Sequence, residues 1–412
     1  MDDMNKSTDY LGQPIFGQVL SLLSRSSVRD VIVSHQANRY YKKLHLWEHL
    51  VSMLYCVFSG CTSLREVQVG LEVCQGKLSH LSLSYVPPRS TLSDGNKKRP
   101  AKVFGSIYEK LYSFYKNPMS DSGLDPKILK RLFIADSSTI SLFKAVLKAA
   151  GKKPGNGKSK GGIKVNTLLN AEMNMPVVVN FMAAAMNDRQ FLKHIQDLPR
   201  YSIIVFDKGY ESFSYFHDFT QNDIYFVTRQ KETAAYTSIE EFDIDQQPDT
   251  ILKDERIEVI YKVKIGGNIP LQLRRVAFWD ESTKRTFVFI TNNFELTSIQ
   301  VADIYKNRWQ IESFLKKLKQ NFPHVYFLGD NANAIEIQIW CALIALLLLQ
   351  VIHYGNKSKM AFSLLASLVR QHLMNYVSFA SIIANYNRKR PRPKPQNKPK
   401  GKPPDLFTPI LF

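Results

Sequence analysis

The residues best spaced for chemistry lie in Tyr305–Lys319, YKNRWQIESFLKKLK. Wound at 100° per residue, Tyr305, Arg308, Glu312, Lys316 and Lys319 fall within an arc of about 80°. One helical edge then carries a phenol, a carboxylate and three cations. Ile304, Ile311, Phe314, Leu315 and Leu318 gather on the adjoining face, which can dock while the charged edge looks into a cleft. Glutamate beside lysine at helical spacing is usually a solvated face with weak ion pairs. Two further acids argue for more. Asp136 closes the apolar run RLFIAD and Asp207 closes YSIIVFD. Carboxylates at the C-terminal edges of neighbouring strands sit where open α/β sheets bind ligands. Taken singly, each Asp is an ordinary turn former; with Glu312 they make a set of hard oxygen donors suited to divalent cations and phosphate.

The elements around these acids read in order. From about Gly12 to Phe114 the pattern is helical, with SLRE (Ser63–Glu66) as a capping box opening a helix that carries Leu64, Val67 and Leu71. After Pro87 and Pro88, Ser90 or Thr91 is expected to cap a short helix ending in Lys97, Lys98 and Arg99. Helix, break and short basic helix is the outline of a helix-turn-helix, with Arg89, Lys97 and Lys98 as candidate DNA contacts; a plain helical bundle gives the same pattern. Strands are expected at Arg131–Asp136, Ile163–Asn170, Pro176–Ala183, Tyr201–Asp207 and Ile224–Arg229, and Phe191–Leu198 as helical. From Lys231 to Leu296 the character is β-rich with charged turns, and Asn333–Tyr354 and Ala361–Ile383 read as core-packing helices. The segments GKKPGNGKSKGG and NRKRPRPKPQNKPKGKPP are basic, and either solvate the chain or lie along a phosphate backbone. The prolines of the second point to an extended tail.

Composition narrows the partners. There are 55 Lys+Arg against 36 Asp+Glu, a formal charge of +19, which favours a polyanion. Cys56, Cys61, Cys74 and Cys341 form no CxxC pair, so neither a zinc site nor a disulfide framework is expected, and the thiols point to a reducing cytosol. No export signal is visible, and the apolar run Ile339–Leu349 is too short to span a bilayer. The expected setting is cytoplasmic, with no membrane partner.

Tyr305, Arg308, Glu312 and Lys319, at gaps of two, three and six residues, with Trp309 and Ile311, resemble the Tyr-Arg-Glu-Lys signature of the insertion-sequence-four family of DDE transposases. The resemblance implies an RNase H-like α/β core with a mixed sheet flanked by helices, interrupted by a β-rich insertion and preceded by an all-α domain. The corresponding divisions are 1–117 (helical, DNA binding), 118–130 (linker), 131–230 (first part of the core), 231–296 (insertion), 297–386 (second part, with the Glu-bearing helix) and 387–412 (basic tail). It implies Asp136, Asp207 and Glu312 as catalytic carboxylates for two Mg²⁺ ions per site, Mn²⁺ able to substitute. Arg308, Lys319 and Tyr305 would grip phosphates near the cut end; Lys316 joins them from the helical projection. The partners would be terminal inverted repeats and target DNA, held by a homodimer in a synaptic complex. Some relatives pass through a DNA hairpin and hold a flipped base on a tryptophan of the insertion, for which Trp279 is the candidate; Trp309 is expected to be packed. One departure stands out: Asn166 occupies the histidine position of a KxHTLL-like strand, and Asn cannot shuttle a proton near neutral pH. A nuclease or recombinase without strand transfer, or a non-catalytic DNA-binding derivative of a transposase, is the alternative.

Overall fold

The computed structural model describes residues 12–115, 123–141, 162–263, 267–321, 328–329, 331–356 and 358–388. The Lys/Gly segment at 151–161 and the Pro-rich tail beyond Arg388 lie outside them. The N-terminal part is helical: α1 (Ile15–Ser21), α2 (Arg25–Ser34), α3 (Leu46–Ser59), α4 (Leu64–Val73), α5 (Arg89–Lys98) and α6 (Lys102–Phe114). Gly60 ends α3 at φ 72°, a left-handed cap that glycine adopts without steric cost. Ser63 caps α4 by accepting from Glu66 N, and Leu64, Val67 and Leu71 are its buried face. Helix α5 starts two or three residues earlier than expected. Its cap position is Pro88, with no side-chain cap, and Arg89 N donates instead to Gln68 Oε1 of α4.

A single turn, α7 (Pro126–Leu129), capped by Asp125, leads into the sheet. Its strands are β1 (Leu132–Ser141), β2 (Gly162–Asn170), β3 (Met175–Ala183) and β4 (Ile203–Phe206). After α8 (Phe213–Gln221) come β5 (Tyr225–Arg229), β6 (Thr237–Glu241), β7 (Ile251–Val263), β8 (Gly267–Asp280) and β9 (Arg285–Thr291). The spatial order is β3-β2-β1-β4-β5-β9-β8-β7-β6. Strands β3, β2 and β1 are mutually antiparallel, whereas β1, β4 and β5 run parallel. The β-rich stretch after residue 231 extends this same sheet, because β9 pairs antiparallel with β5. The helices α9 (Ser298–Lys306), α10 (Trp309–Asn321), α11 (Ala332–Gly355), α12 (Phe362–His372) and α13 (Phe379–Asn387) complete the chain.

Alternation along the strands sends side chains to two cores. Leu132 and Ile134 of β1 with Val205 of β4 face the core that includes the N-terminal helices, α10 and α11; Phe133, Ala135, Ile204 and Phe206 face the core under α8 and the 3₁₀ helix Asp188–Ile195. Helix α11 is the hub. It is 24 residues long and apolar enough to cross a membrane, but 94% of its most apolar window is buried inside the protein. It packs on α3 and α6, and Asn333 at its start donates to Asn96 O and Arg99 O, so it also holds the end of α5.

Three expectations need correction. Strand β1 does not stop at Asp136: antiparallel pairing with β2 continues through Ser137↔Asn166 to Ser141↔Gly162, so the acid sits within the strand. The stretch from Tyr305 to Lys319 is two helices. Asn307 terminates α9, its backbone N–H reaching the carbonyls of Asp303, Ile304 and Tyr305 and its side-chain Nδ2 returning to Asp303 O. Ala361–Ile383 is likewise divided, with Ser378 capping α13.

Candidate active site

Sheet register brings the first two acids together. Strands β1 and β4 are paired in parallel up to Ala135↔Phe206, so the next residues on each, Asp136 and Asp207, emerge side by side. Because Ile134 and Val205 face the α10 side, alternation turns both acids to that side as well. Helix α10 packs against β1 and carries Glu312 in its first turn, while Ile311, Phe314, Leu315 and Leu318 anchor it in the core. All five apolar positions expected to be buried, Ile304 included, are so.

The electrostatics bind the group into one unit. The Asp136 carboxyl is raised above the ordinary range, chiefly by burial. Ser137 N donates to Asp136 Oδ1 at 2.8 Å and, with Arg308, opposes that rise; the charges of Glu312 and Asp207 add to it. Arg308 Nη1 lies 2.6 Å from Glu312 Oε1, an i, i+4 pair. Asp207 Oδ1 accepts from Tyr305 Oη at 3.4 Å and lies 3.6 Å from Arg229 Nη2. The Tyr305 ring packs on Phe289, and burial raises its phenol pKa while Arg229 and Arg308 pull it down. Three acids, two arginines and a phenol thus share one locus.

Among the described residues, no three acidic, histidine or cysteine side chains are gathered tightly enough to enclose a metal ion. Glu312 is engaged by Arg308, and Asp207 by Arg229 and Tyr305, so arginines supply the positive charge. The donor set still fits a hard divalent cation: all three groups are carboxylates, and Asp136 is half-buried near like charges that a cation would relieve.

The other nominated residues divide. Lys316 and Lys319 are exposed along α10 beyond Glu312, and Arg89, Lys97 and Lys98 are exposed on α5. Arg99, expected to extend that basic helix, is fully buried. Its guanidinium donates to Leu44 O, Ala37 O and His49 Nδ1 and stacks over Tyr41. Trp309, expected to be packed, is 63% exposed beside Arg308, because the break at Asn307 turns the first residue of α10 outward. Trp279 is half-buried on β8, in register with Thr286, its backbone N–H donating to Thr250 O. Asn166 is fully buried, and neither amide atom has a hydrogen-bond partner among the described residues.

Sequence reading missed Arg229. The signal was available: Arg229 ends the run IYFVTR, and β5 lies next to β4, whose run ends in Asp207. A cation closing one strand beside an acid closing its neighbour is a recognisable pattern.

Two carboxylates thus emerge side by side where two parallel strands of a mixed sheet separate, with a Glu-bearing helix packed on the first of those strands. The sequence model of a family described as "Transposase DDE domain" matches residues 127–348, more than half of the chain. The chain therefore belongs to the DDE transposases. Residues 11–83 match a second model, described as a domain of unknown function (DUF4372). A putative transposase, y4zB, of Sinorhizobium fredii is 27% identical over 316 residues, 74% of this chain and 84% of that one. A putative transposase for insertion sequence element IS4SA of Synechocystis is 25% identical, covering 64% and 71%. A piggyBac transposase in a synaptic complex with hairpin DNA aligns over 94% of this chain and 84% of that chain, at 9% identity and a TM-score of 0.42.

Proposed function

We propose that this transposase excises an insertion sequence by hydrolysis at its terminal inverted repeats and joins the freed 3′-hydroxyls to target DNA. Asp136, Asp207 and Glu312 are the catalytic carboxylates, holding two Mg²⁺ ions for which Mn²⁺ can substitute. The observation that carries the reading is the parallel register ending at Ala135↔Phe206, with α10 against β1, which leaves the three acids in electrostatic reach of one another. The 3-2-1-4-5 order of the first five strands, antiparallel then parallel, supports an RNase H-like core.

Bound divalent ions would supply an activated water and relief of charge on the scissile phosphate. The chain's own residues do the rest. The acids orient and neutralise. Arg308 is shared between Glu312 and DNA: released from the carboxylate, its planar fork grips a phosphate near the cut end, beside Tyr305. Lys316 and Lys319 extend the cationic edge along the DNA backbone, and Arg89, Lys97 and Lys98 contact DNA from the N-terminal helices. Joining two ends calls for a homodimer.

The test is incubation of linear DNA bearing the element's ends with a plasmid target and Mg²⁺. Cleaved ends joined to plasmid are expected; cleavage without joined products would favour a nuclease. Asp136→Asn, Asp207→Asn and Glu312→Gln should bind the ends and leave them uncut, and full cleavage by any of them would remove that residue from the site.

A further inference from the structure

Behind the acids, on the opposite face of the sheet, lies a second set of polar groups. Ser137 follows Asp136 in β1 and points the other way. Its Oγ donates to Asp188 Oδ1 at 2.9 Å. The same oxygen receives Lys164 Nζ at 2.8 Å, and Lys164 also donates to Met186 O. Lys164 comes from β2 and is itself buried. Asp188 opens the 3₁₀ helix Asp188–Ile195 that covers this face. The Tyr210 phenol lies against Ser137, close enough to feel Asp136, Asp188 and Asp207.

This strap sits where β1 needs one. Strand β4 ends at Phe206, so beyond Ala135 the backbone of β1 loses its parallel neighbour and is held on one side only, by β2. Asp136 and Ser137 are the first residues past that point. Among the described residues, the hydrogen bond that reaches the Asp136 carboxylate comes from Ser137 N, on Oδ1, and its geometry depends on where the Ser137 backbone is held. Asn166, register partner of Ser137 and of Asn180, adds a second sign. A fully buried amide with neither atom partnered among the described residues is uncommon, and departures of this kind cluster where a site is built at the expense of the fold.

We infer that Lys164, Asp188 and Ser137 are positioning residues that fix Asp136 from behind the sheet for cation binding. The inference rests on the cation-holding role proposed above for Asp136. Supporting residues of this kind, when lost, typically weaken metal affinity or activity by about 10- to 100-fold. The full chain, without DNA, is titrated with Mn²⁺ and free ion is followed by electron paramagnetic resonance. Ser137→Ala and Asp188→Asn should raise the Mn²⁺ dissociation constant about 10-fold, with melting temperature in chelator held near that of the parent chain. Lys164→Met should do the same and Lys164→Arg restore most of the affinity. Mn²⁺ affinity unchanged in Ser137→Ala and Asp188→Asn, or lost only in step with the folded fraction, would overturn the inference. Should Asp188→Asn fail to fold, Ser137→Ala, which removes one oxygen, decides alone. If Asp136→Asn binds Mn²⁺ as the parent does, the cation role of Asp136 falls first and takes this inference with it, a result distinct from parent-like binding in the strap variants alone.

Discussion

Arg308 gives the sharpest prediction, because it is paired with Glu312 as well as being proposed to grip a phosphate. Its Nη1 is 2.6 Å from Glu312 Oε1, with the two side chains 14% and 35% exposed. Unit charges 4 Å apart gain about 4 kcal/mol at an effective dielectric near 20. Desolvation and partial solvent access reduce the net to about 1–2 kcal/mol for a half-buried, charge-assisted pair. In chelator, Arg308→Gln should therefore lose about 1–2 kcal/mol, a melting shift of a few °C or less for a chain this long. The sign reverses when a divalent cation is added. The parent chain must break the Arg308–Glu312 pair before Glu312 can ligate, whereas the variant has no pair to break. Its cation affinity should rise by up to about tenfold, since 1.4 kcal/mol is a factor of ten. Calorimetric titration with Mn²⁺ and thermal melts with and without the ion measure both effects. End cleavage should nonetheless fall, because the phosphate contact is gone. A cation-induced stabilisation equal to or smaller than the parent's would refute the idea that arginine and metal compete for Glu312.

The raised carboxyl of Asp136 makes a pH prediction. A carboxyl whose folded pKa lies above its unfolded value favours the fold while protonated, and that advantage is lost as pH rises through the folded pKa. Metal-free Asp136→Asn should melt higher than the parent near neutral pH, the difference vanishing below the carboxylate range, while cleavage is abolished; a variant less stable at neutral pH would contradict the burial argument. On α5, Lys97→Ala and Lys98→Ala should each reduce the logarithmic salt slope of DNA binding by about 1 and change stability by less than about 0.5 kcal/mol. Arg99→Ala should do the opposite, costing about 3 kcal/mol of stability by stranding Leu44 O, Ala37 O and the Nδ1 of His49. Denaturant melts set against salt titrations separate the two classes. Trp309→Ala should leave stability within about 0.5 kcal/mol and weaken the end complex, whereas an equal or larger loss of end affinity in Trp279→Ala would assign the DNA-facing ring to the insertion strands instead.

What could be read in the chain follows from how local each feature is. The apolar face of the Glu312 helix and the capped start of α4 depend on residues three or four apart, and both appear as expected. The end of a strand is not local. Asp136 looked terminal because the apolar run stops there, but Ser137 and Ser138 continue the ladder by pairing with β2, across a long segment that no window around Asp136 contains. The same holds for Arg99, which reads as the last of three cations yet is drawn inward by carbonyls of Ala37 and Leu44 and by His49. Burial and the Arg99 charge push the His49 pKa down to about 3, so its ring stays neutral and accepts at Nδ1 while Nε2 donates to Asn96 Oδ1. A charge can be placed in a core only by partners that arrive from elsewhere in the chain. The helix break at Asn307 is local too, as are the early start of α5 and the cap of α13 at Ser378. Asparagine caps by bonding back to carbonyls one turn earlier, and here that cap separates Tyr305, which reaches Asp207, from Glu312, which is held by Arg308. The signature residues thus converge from two short helices joined at a bend, and the bend lets the phenol address one acid while the next helix delivers another.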